Sequence, residues 1–222
     1  DFSIYYKTIR SGTRDEIANY FQEIGCTNIS SHSEKVSQIY SALCGLRFFN
    51  VSQIYPLISA AVNCYIRCGL ANNKSASKQL VLLFKALENY HFTNTAICDR
   101  IGNEVEKLYA DTSEFYAQSS DFEETTNNLL SSLRDKLANE DEFTSRFCDI
   151  SYSTKKDKSL INYIFDRFNN FGRTDGQPLD IFDPDPRNNK TGFYNIEHIY
   201  PQKPEKEFAD KKTSEAVEIG RA

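Results

Sequence analysis

The sequence predicts a mainly α-helical fold, a multi-helix bundle or array, followed by a short β-containing segment. From about residue 13 to residue 171, apolar residues recur at intervals of three and four, which is typical of amphipathic helices. Two such runs are Leu80, Leu83, Phe84, Leu87 and Ile97, Ile101, Val105, Leu108. Before residue 175 there is no convincing alternation of apolar and polar residues of the kind that marks strands. With 222 residues, 40% of them hydrophobic, the chain can bury one large core or two smaller ones.

Local signals predict where the helices begin and end. Thr13, with Asp15 and Glu16 after it, predicts an N-cap and an acidic first turn, and Gly25 predicts the end of that helix. Ser31 or Ser33 can begin the next one. Further helices are predicted over residues 51–70, 76–92, 95–117, 120–138, 141–150 and 160–171. The first of these is apolar nearly all round, which is typical of a buried central helix.

A change of composition after Ser151 divides the chain into two predicted domains. Residues 1–152 form a helical domain, whose apolar stripes are explained by core packing and say little about function. Residues 153–222 contain a connecting helix within 157–171, then a loop rich in Asp, Pro and Asn, and then a strand at 192–200.

Charge and cysteine content narrow the functional class. A net charge of −5 argues against a compact basic nucleic-acid-binding module, although a local groove can still contact DNA. The six cysteines lack paired C-x-x-C spacing, which favours small hydrophobic side chains in a reduced, cytoplasmic protein over a zinc site. Cys64 and Cys68 should share one face of a buried helix. No apolar run approaches the length of a membrane span, so no membrane partner is expected.

One motif carries recognisable chemistry: Ile196-Glu197-His198-Ile199-Tyr200-Pro201-Gln202. An imidazole can take a proton from water near pH 7, and a neighbouring carboxylate can hold a divalent cation on a phosphate. Adjacent strand residues point to opposite faces, so the two side chains can serve one site only through a local twist or bulge. Outside this context, a strand histidine beside a glutamate is more often structural than catalytic.

The motif resembles the first half of the HNH nuclease domain at the C-terminal end of GmrSD-type, modification-dependent restriction enzymes and their relatives in phage defence. In that family an (Ile/Val)-Glu-His-Ile-x-Pro-Gln block follows a helix-rich segment, and residues 196–202 match it at every position. The helix at 160–171 and the loop after it lie where the family places them. More loosely, the helical region resembles the part that follows the family's N-terminal nucleotide-hydrolysing domain.

The resemblance implies a ββα-metal fold for the second domain and DNA as the substrate. It implies His198 as the general base in phosphodiester hydrolysis, Glu197 as a ligand of Mg²⁺ or Mn²⁺, and structural roles for Pro201 and Gln202. It also implies an upstream NTP-hydrolysing domain, in the same chain or in a partner chain. The family continues into a Gly-Asn-Leu block and a further helix bearing Asn or His, whereas this sequence stops at Ala222. We therefore expect a truncated site and no cleavage by this piece alone.

Two functions from different classes fit the sequence. One is a fragment of a DNA endonuclease of a restriction or defence system. The other is a helical scaffold or protein-interaction domain in which His198 is structural or decayed. A longer version of the protein that contains the Gly-Asn-Leu block would favour the enzyme.

Other polar residues have simpler interpretations. A group of basic side chains near the connecting helix could line a DNA backbone path, although a solvated helix face is the simpler interpretation. These are Lys155, Lys156, Lys158, Arg167 and Arg173. His32 and His91 are predicted at the surface or at helix ends. Asp175-Gly176-Gln177 is predicted to be a turn.

Overall fold

The structure, a computed structural model, describes residues 2–100, 103–152 and 155–171. Ten α-helices and one π-helical segment occupy these ranges. In chain order they are α1 (Phe2–Ser11), α2 (Arg14–Glu23), α3 (Thr27–Ser30), α4 (Ser33–Phe48), α5 (Ile54–Arg67), α6 (Lys74–His91), the π-helical segment (Phe92–Ile97), α7 (Asn103–Gln118), α8 (Phe122–Asp135), α9 (Glu140–Cys148) and α10 (Lys155–Asn170). The mainly helical prediction is confirmed, and no strand occurs in the described ranges. The predicted β segment lies outside them.

The predicted start and end of α2 are confirmed in detail. The Thr13 hydroxyl accepts a hydrogen bond from the Glu16 backbone N–H at 3.3 Å, and the Glu16 carboxylate accepts one from the Thr13 N–H at 2.7 Å. This reciprocal pair satisfies two of the N–H groups that a helix start leaves unpaired. Gly25 follows the helix with a φ of +76°, a left-handed conformation that glycine adopts without strain.

The predicted continuous helix over 95–117 is wrong. After α6 the chain widens into the π-helical segment and then turns at residues 98–100, and α7 begins only at Asn103. Asp99 takes a left-handed φ of 52°, which interrupts the helical path. The Asn94 side chain donates to the Lys136 carbonyl at 2.8 Å and accepts from the Ala138 N–H at 2.9 Å. These bonds fix the π-helical segment against the turn after α8. The sequence analysis also did not predict α1 or the single-turn α3.

The main core lies among α2 and α4–α8, which we call the helical body. Its largest fully buried side chains include Phe21, Tyr65, Phe84, Tyr116 and Phe122. The prediction of a buried central helix is confirmed for α5, in which nine of fourteen residues are buried. Every face of this helix except the one bearing Asn63 and Arg67 therefore contributes to the core.

Two arginines bind the C-terminal carbonyls of neighbouring helices. Arg47 of α4 donates to the Ile9 and Gly12 carbonyls, both at 2.9 Å, at the end of α1. Arg67 of α5 donates to the carbonyls of Tyr116 at 2.6 Å and Ser119 at 2.8 Å, at the end of α7. A cation at a helix C-terminus satisfies otherwise unpaired carbonyls and opposes the negative end of the helix dipole.

All six cysteines are free thiols, and four of them are buried. Cys64 and Cys68 do share one face, with their sulfur atoms 3.8 Å apart. Burial raises the pKa of the Cys26 and Cys64 thiols to about 11, so both stay protonated near neutral pH. Within the described ranges, no helix combines the length and the apolar character that spanning a bilayer requires.

Candidate functional site

The residues that the sequence analysis selected for catalysis lie outside the described residues. These are Glu197 and His198; Pro201, Gln202, Arg173 and the predicted turn at 175–177 also lie outside the described residues. Their roles therefore stay predictions. In the part of the chain that the structure describes, no group of three or more His, Cys, Asp or Glu side chains is arranged to hold a metal ion.

The described element nearest in sequence to the His198 motif is α10, and a buried ion pair fixes it to the helical body. Arg167 donates to Glu88 Oε1 of α6 through Nε at 2.9 Å and through a terminal nitrogen at 2.6 Å. The Tyr163 hydroxyl donates to the same oxygen at 2.8 Å. Arg167 also donates to the Ser41 carbonyl of α4 at 2.8 Å. We call Glu88, Tyr163 and Arg167, with the Ser41 carbonyl, the α10 anchor.

A glycine in the interior of α4 makes room for the α10 anchor. A Cβ atom at Gly45 would lie 2.5 Å from Glu88 Oε1 and 3.1 Å from two carbon atoms of the same side chain. Glycine inside a helix costs roughly 1 kcal/mol relative to alanine. Gly45 does not have a positive φ, so close approach of the Glu88 carboxylate explains the glycine.

The charged side chains of the α10 anchor are largely shielded from solvent. The Glu88 side chain is only 8% exposed and that of Arg167 is 26% exposed. Burial alone would lower the pKa of Arg167, but the Glu88 carboxylate outweighs it and raises the pKa above its usual value. Burial raises the pKa of Tyr163, and the Glu88 carboxylate raises it further. Arginine therefore stays charged and the tyrosine stays protonated, as the hydrogen bonds of the anchor require.

Asp166 contributes a second carboxylate to Arg167. Its Oδ2 atom accepts from the guanidinium at 2.6 Å, and its side chain is 6% exposed. The guanidinium also lies 4.5 Å from the centre of the Tyr163 ring, within the range of a cation–π contact. Arg167 is thus held by two carboxylates, a carbonyl and an aromatic ring.

An aromatic layer surrounds the anchor where α10 meets the end of α4 and the π-helical segment. The Tyr163 ring lies 5.9 Å from Phe48, 5.1 Å from Phe49 and 5.6 Å from Phe92, centre to centre. Leu160 of α10 is buried in the same small cluster. Aromatic pairs in this range contribute roughly 0.5–1.5 kcal/mol beyond the area that they bury.

The other side of α10 leaves large aromatic side chains exposed. Phe165 is 50% exposed, Phe168 68% and Phe171 88%. Phe165 and Phe168 are three residues apart and neighbour one another on the surface of α10, and Phe171 directly follows the end of the helix. The inner side of α10 thus combines the polar anchor with apolar packing, while these phenylalanine side chains stay exposed to solvent.

The helix α9 is attached through a partly exposed ion pair and through aromatic side chains that pack against the cluster around Tyr163. Arg100 donates to both carboxylate oxygens of Glu142, at 3.1 and 2.6 Å. Phe143 lies 6.2 Å from Phe92, centre to centre. No residue of α9 itself is buried.

His91, at the end of α6, is buried and fully hydrogen-bonded. Its side chain is 1% exposed, with Nδ1 3.0 Å from the Thr95 hydroxyl and Nε2 2.8 Å from the Tyr109 hydroxyl. Burial lowers its pKa to about 4, so it is neutral at pH 7. The prediction of a helix-end position is confirmed, whereas a surface position holds only for His32, which is exposed at the start of α4.

The sequence analysis interpreted the basic residues near α10 as a DNA backbone path or a solvated helix face. Neither interpretation describes Arg167, because its guanidinium faces the protein interior. Lys158 lies 4.5 Å from the centre of the Tyr152 ring, a contact that leaves its charge near the surface. Arg173 lies outside the described residues. A DNA path along these basic residues near α10 therefore cannot include Arg167.

Comparison with known protein families supports the resemblance that the motif indicated. The family model of the C-terminal domain of GmrSD restriction endonucleases matches residues 137–219. This stretch contains α9, α10 and the His198 motif. The chain therefore resembles GmrSD-type restriction endonucleases over these residues, a class of nuclease that acts on DNA. Searches of curated proteins and of solved structures each found no match.

Sequence reasoning did not find Glu88 or Tyr163. Two signals could have drawn attention to the anchor: a single acid beside Leu87 on an apolar helical stripe, and Gly45 in the middle of a helix. The pairing itself joins residues 75 and 79 positions apart, which no local pattern reveals.

Proposed function

We propose that the chain is part of a metal-dependent HNH-type DNA endonuclease of a restriction or defence system. The supporting observation is that one family model, of the C-terminal domain of GmrSD restriction endonucleases, covers the whole Ile196–Gln202 motif together with α9 and α10. A cytoplasmic location fits the six free cysteines. We also propose that the nuclease works with an upstream NTP-hydrolysing domain, in the same chain or in a partner chain.

In the proposed reaction, the His198 imidazole accepts a proton from the attacking water, which adds to phosphorus as the leaving oxygen departs. The Glu197 carboxylate is a hard oxygen ligand, which suits a divalent cation such as Mg²⁺ or Mn²⁺. When bound, the cation would neutralise charge on the phosphate oxygens. Glu197 would hold it next to the scissile bond.

A scaffold function is the second candidate, and the α10 anchor is the observation that favours it. Buried ion pairs that join distant helices can fix one specific arrangement, and this role needs no catalytic residue. On this interpretation His198 would be structural.

Plasmid nicking by the encoded protein separates the two candidates. With Mg²⁺ or Mn²⁺, His198→Ala should lower the nicking rate by at least about a hundredfold, the usual contribution of a general base. His32→Ala is the matched control, because that histidine is exposed at the start of α4 and should not affect nicking. Equal nicking by wild type and His198→Ala would reject the assignment of the base. The 222-residue chain, which we expect to be inactive, is the second comparison.

A further inference from the structure

The exposed side of α6 carries a row of lysines. Lys74, Lys78 and Lys85 are all exposed, and Leu82 between them is 51% exposed. At about 100° per residue, these four positions fall within roughly a quarter of the helix circumference. The three ammonium groups therefore project from one narrow face, which we call the lysine row.

No carboxylate of the described residues forms an ion pair with the lysine row. The only acid in α6 is Glu88, and it faces inward and binds Arg167 and Tyr163. Among the described residues, none of the three lysines has a carboxylate oxygen within 4 Å. The α10 anchor thus removes from this face the one negative charge that α6 could present.

Lys35 of α4 adds a fourth charge next to the row. Its ammonium group donates to the Asn28 carbonyl and to the Ser77 hydroxyl, each at 2.8 Å, which holds it against the first turn of α6. Burial lowers its pKa, and the positive charges of Lys78 and Lys74 lower it further, while Glu34 opposes them. Lys35, Lys74 and Lys78 are thus close enough to repel one another, and a bound anion would relieve this repulsion.

We propose that the lysine row, extended by Lys35, is a contact surface for the phosphate backbone of double-stranded DNA. The row spans twelve residues of helix, about 17 Å, which faces about five phosphates of one DNA strand. Lys85 lies three residues from Glu88, where Arg167 attaches α10, the helix that leads in sequence to the His198 motif. The inference rests on the proposed endonuclease function, since it assigns that function's substrate to a surface of the helical body.

The salt dependence of DNA binding tests the proposal in the encoded protein. The dissociation constant for a labelled duplex of about 30 base pairs would be measured from about 50 to about 300 mM NaCl. The variant Lys74→Gln, Lys78→Gln, Lys85→Gln should weaken binding about ten- to a hundredfold at the lower salt concentrations. It should also reduce the slope of log affinity against log salt by about 2 to 3, close to one per lost phosphate contact.

A matched control removes three positive charges from the α7–α8 side of the protein. Lys107, Arg134 and Lys136 are all exposed, and replacing them together with glutamine changes the net charge equally. This control should keep the wild-type slope. Equal slope changes in the two triple variants would overturn the proposal, because only net charge would then matter. An unchanged slope in the α6 variant would overturn it too.

Failure of this inference can be distinguished from failure of the proposed function. Metal-dependent nicking that requires His198, together with an unaltered salt slope in the α6 triple variant, would reject the lysine row and keep the endonuclease. A reduced slope in that variant, without any nicking by wild type, would support the lysine row and count against the endonuclease. Matching thermal unfolding curves for wild type and both triple variants would show that the substitutions leave the fold intact.

Discussion

The core of the helical body is apolar, whereas the contacts of α10 combine apolar packing with a buried ion pair. In the body, α5 and α6 turn apolar residues inward, and large rings such as Tyr65 and Phe84 are almost completely buried. On the inner side of α10, an arginine and a carboxylate of this helix and the Glu88 carboxylate of α6 lie beside an aromatic layer, while Phe165 and Phe168 of α10 are exposed. Apolar packing is non-directional, whereas the ion pair fixes one register of α10 on α4 and α6. The difference indicates a stable body and a helix whose exact placement matters.

The largest expected effect distinguishes buried from exposed phenylalanines. Phe84→Ala should lower the free energy of unfolding by about 3–5 kcal/mol, because it removes a ring that is 1% exposed and leaves a cavity. Phe168→Ala, in a side chain that is 68% exposed, should change it by less than about 0.5 kcal/mol in this chain. Urea denaturation followed by circular dichroism measures both. Similar losses for both variants would mean that α10 shares the core of the body.

The second prediction tests the α10 anchor: the effect of Gly45→Ala on the free energy of unfolding should change sign when Glu88 is removed. Glu88→Ala should cost about 2–3 kcal/mol, because it leaves a largely buried guanidinium without its main partner. Gly45→Ala should destabilise the wild type, since the new Cβ would lie 2.5 Å from the Glu88 carboxylate.

The same glycine substitution should behave differently once the carboxylate is gone. In the Glu88→Ala background, Gly45→Ala should be neutral or stabilise by up to about 1 kcal/mol, the normal advantage of alanine in a helix. Unfolding free energies of the four proteins complete this cycle. A constant effect of Gly45→Ala in both backgrounds would contradict the close approach of the two residues.

His91 gives the helical body a pH dependence of its own. Its pKa falls from about 6.5 in the unfolded chain to about 4 in the folded one, so the unfolded chain binds the proton more readily. The stabilising contribution is complete above pH 6.5 and is lost as the pH falls from there through 4, by up to about 3 kcal/mol. His91→Gln should remove this pH-dependent part of the free energy of unfolding. The same dependence of the free energy of unfolding on pH in wild type and His91→Gln, between pH 4 and 7, would refute this assignment to His91.

The smallest effects are expected at two helix N-caps, Thr13 of α2 in the helical body and Asn139 of α9. Thr13→Ala should lower global stability by about 1 kcal/mol, because α2 buries Ile17, Tyr20 and Phe21. Asn139 caps α9 through the Glu142 N–H at 2.8 Å, but α9 has no buried residue. Asn139→Ala should therefore increase amide hydrogen exchange within α9 and leave the global unfolding free energy nearly unchanged. A global loss equal to that of Thr13→Ala would show that α9 unfolds together with the body.

Most of the fold could be predicted because its signals are local. The Thr13 capping box, the glycine stop at Gly25 and the apolar run that became α5 each depend on residues within a few turns of one another. The break after α6 could not be predicted, because it depends on Asn94 binding the turn after α8, more than forty positions away. The α10 anchor was missed for the same physical reason.

For the candidate site, the chemistry came from the sequence, and the structure describes only helices that precede the site along the chain. The motif at 196–202 indicated a resemblance to the nuclease family from seven residues, and the family model supports that resemblance over 137–219. Sequence reasoning alone treated Arg167 as a surface charge, because only the packing of α10 on α6 shows that it faces a buried carboxylate.

The pH dependence of DNA cleavage tests the central claim most directly. For the encoded protein with saturating Mg²⁺ or Mn²⁺, the single-turnover cleavage rate should rise with pH up to a plateau near neutrality, as one imidazole loses its proton. In His198→Ala this rise should disappear along with most of the rate. The same pH-dependent rise at an undiminished rate in His198→Ala would contradict the account.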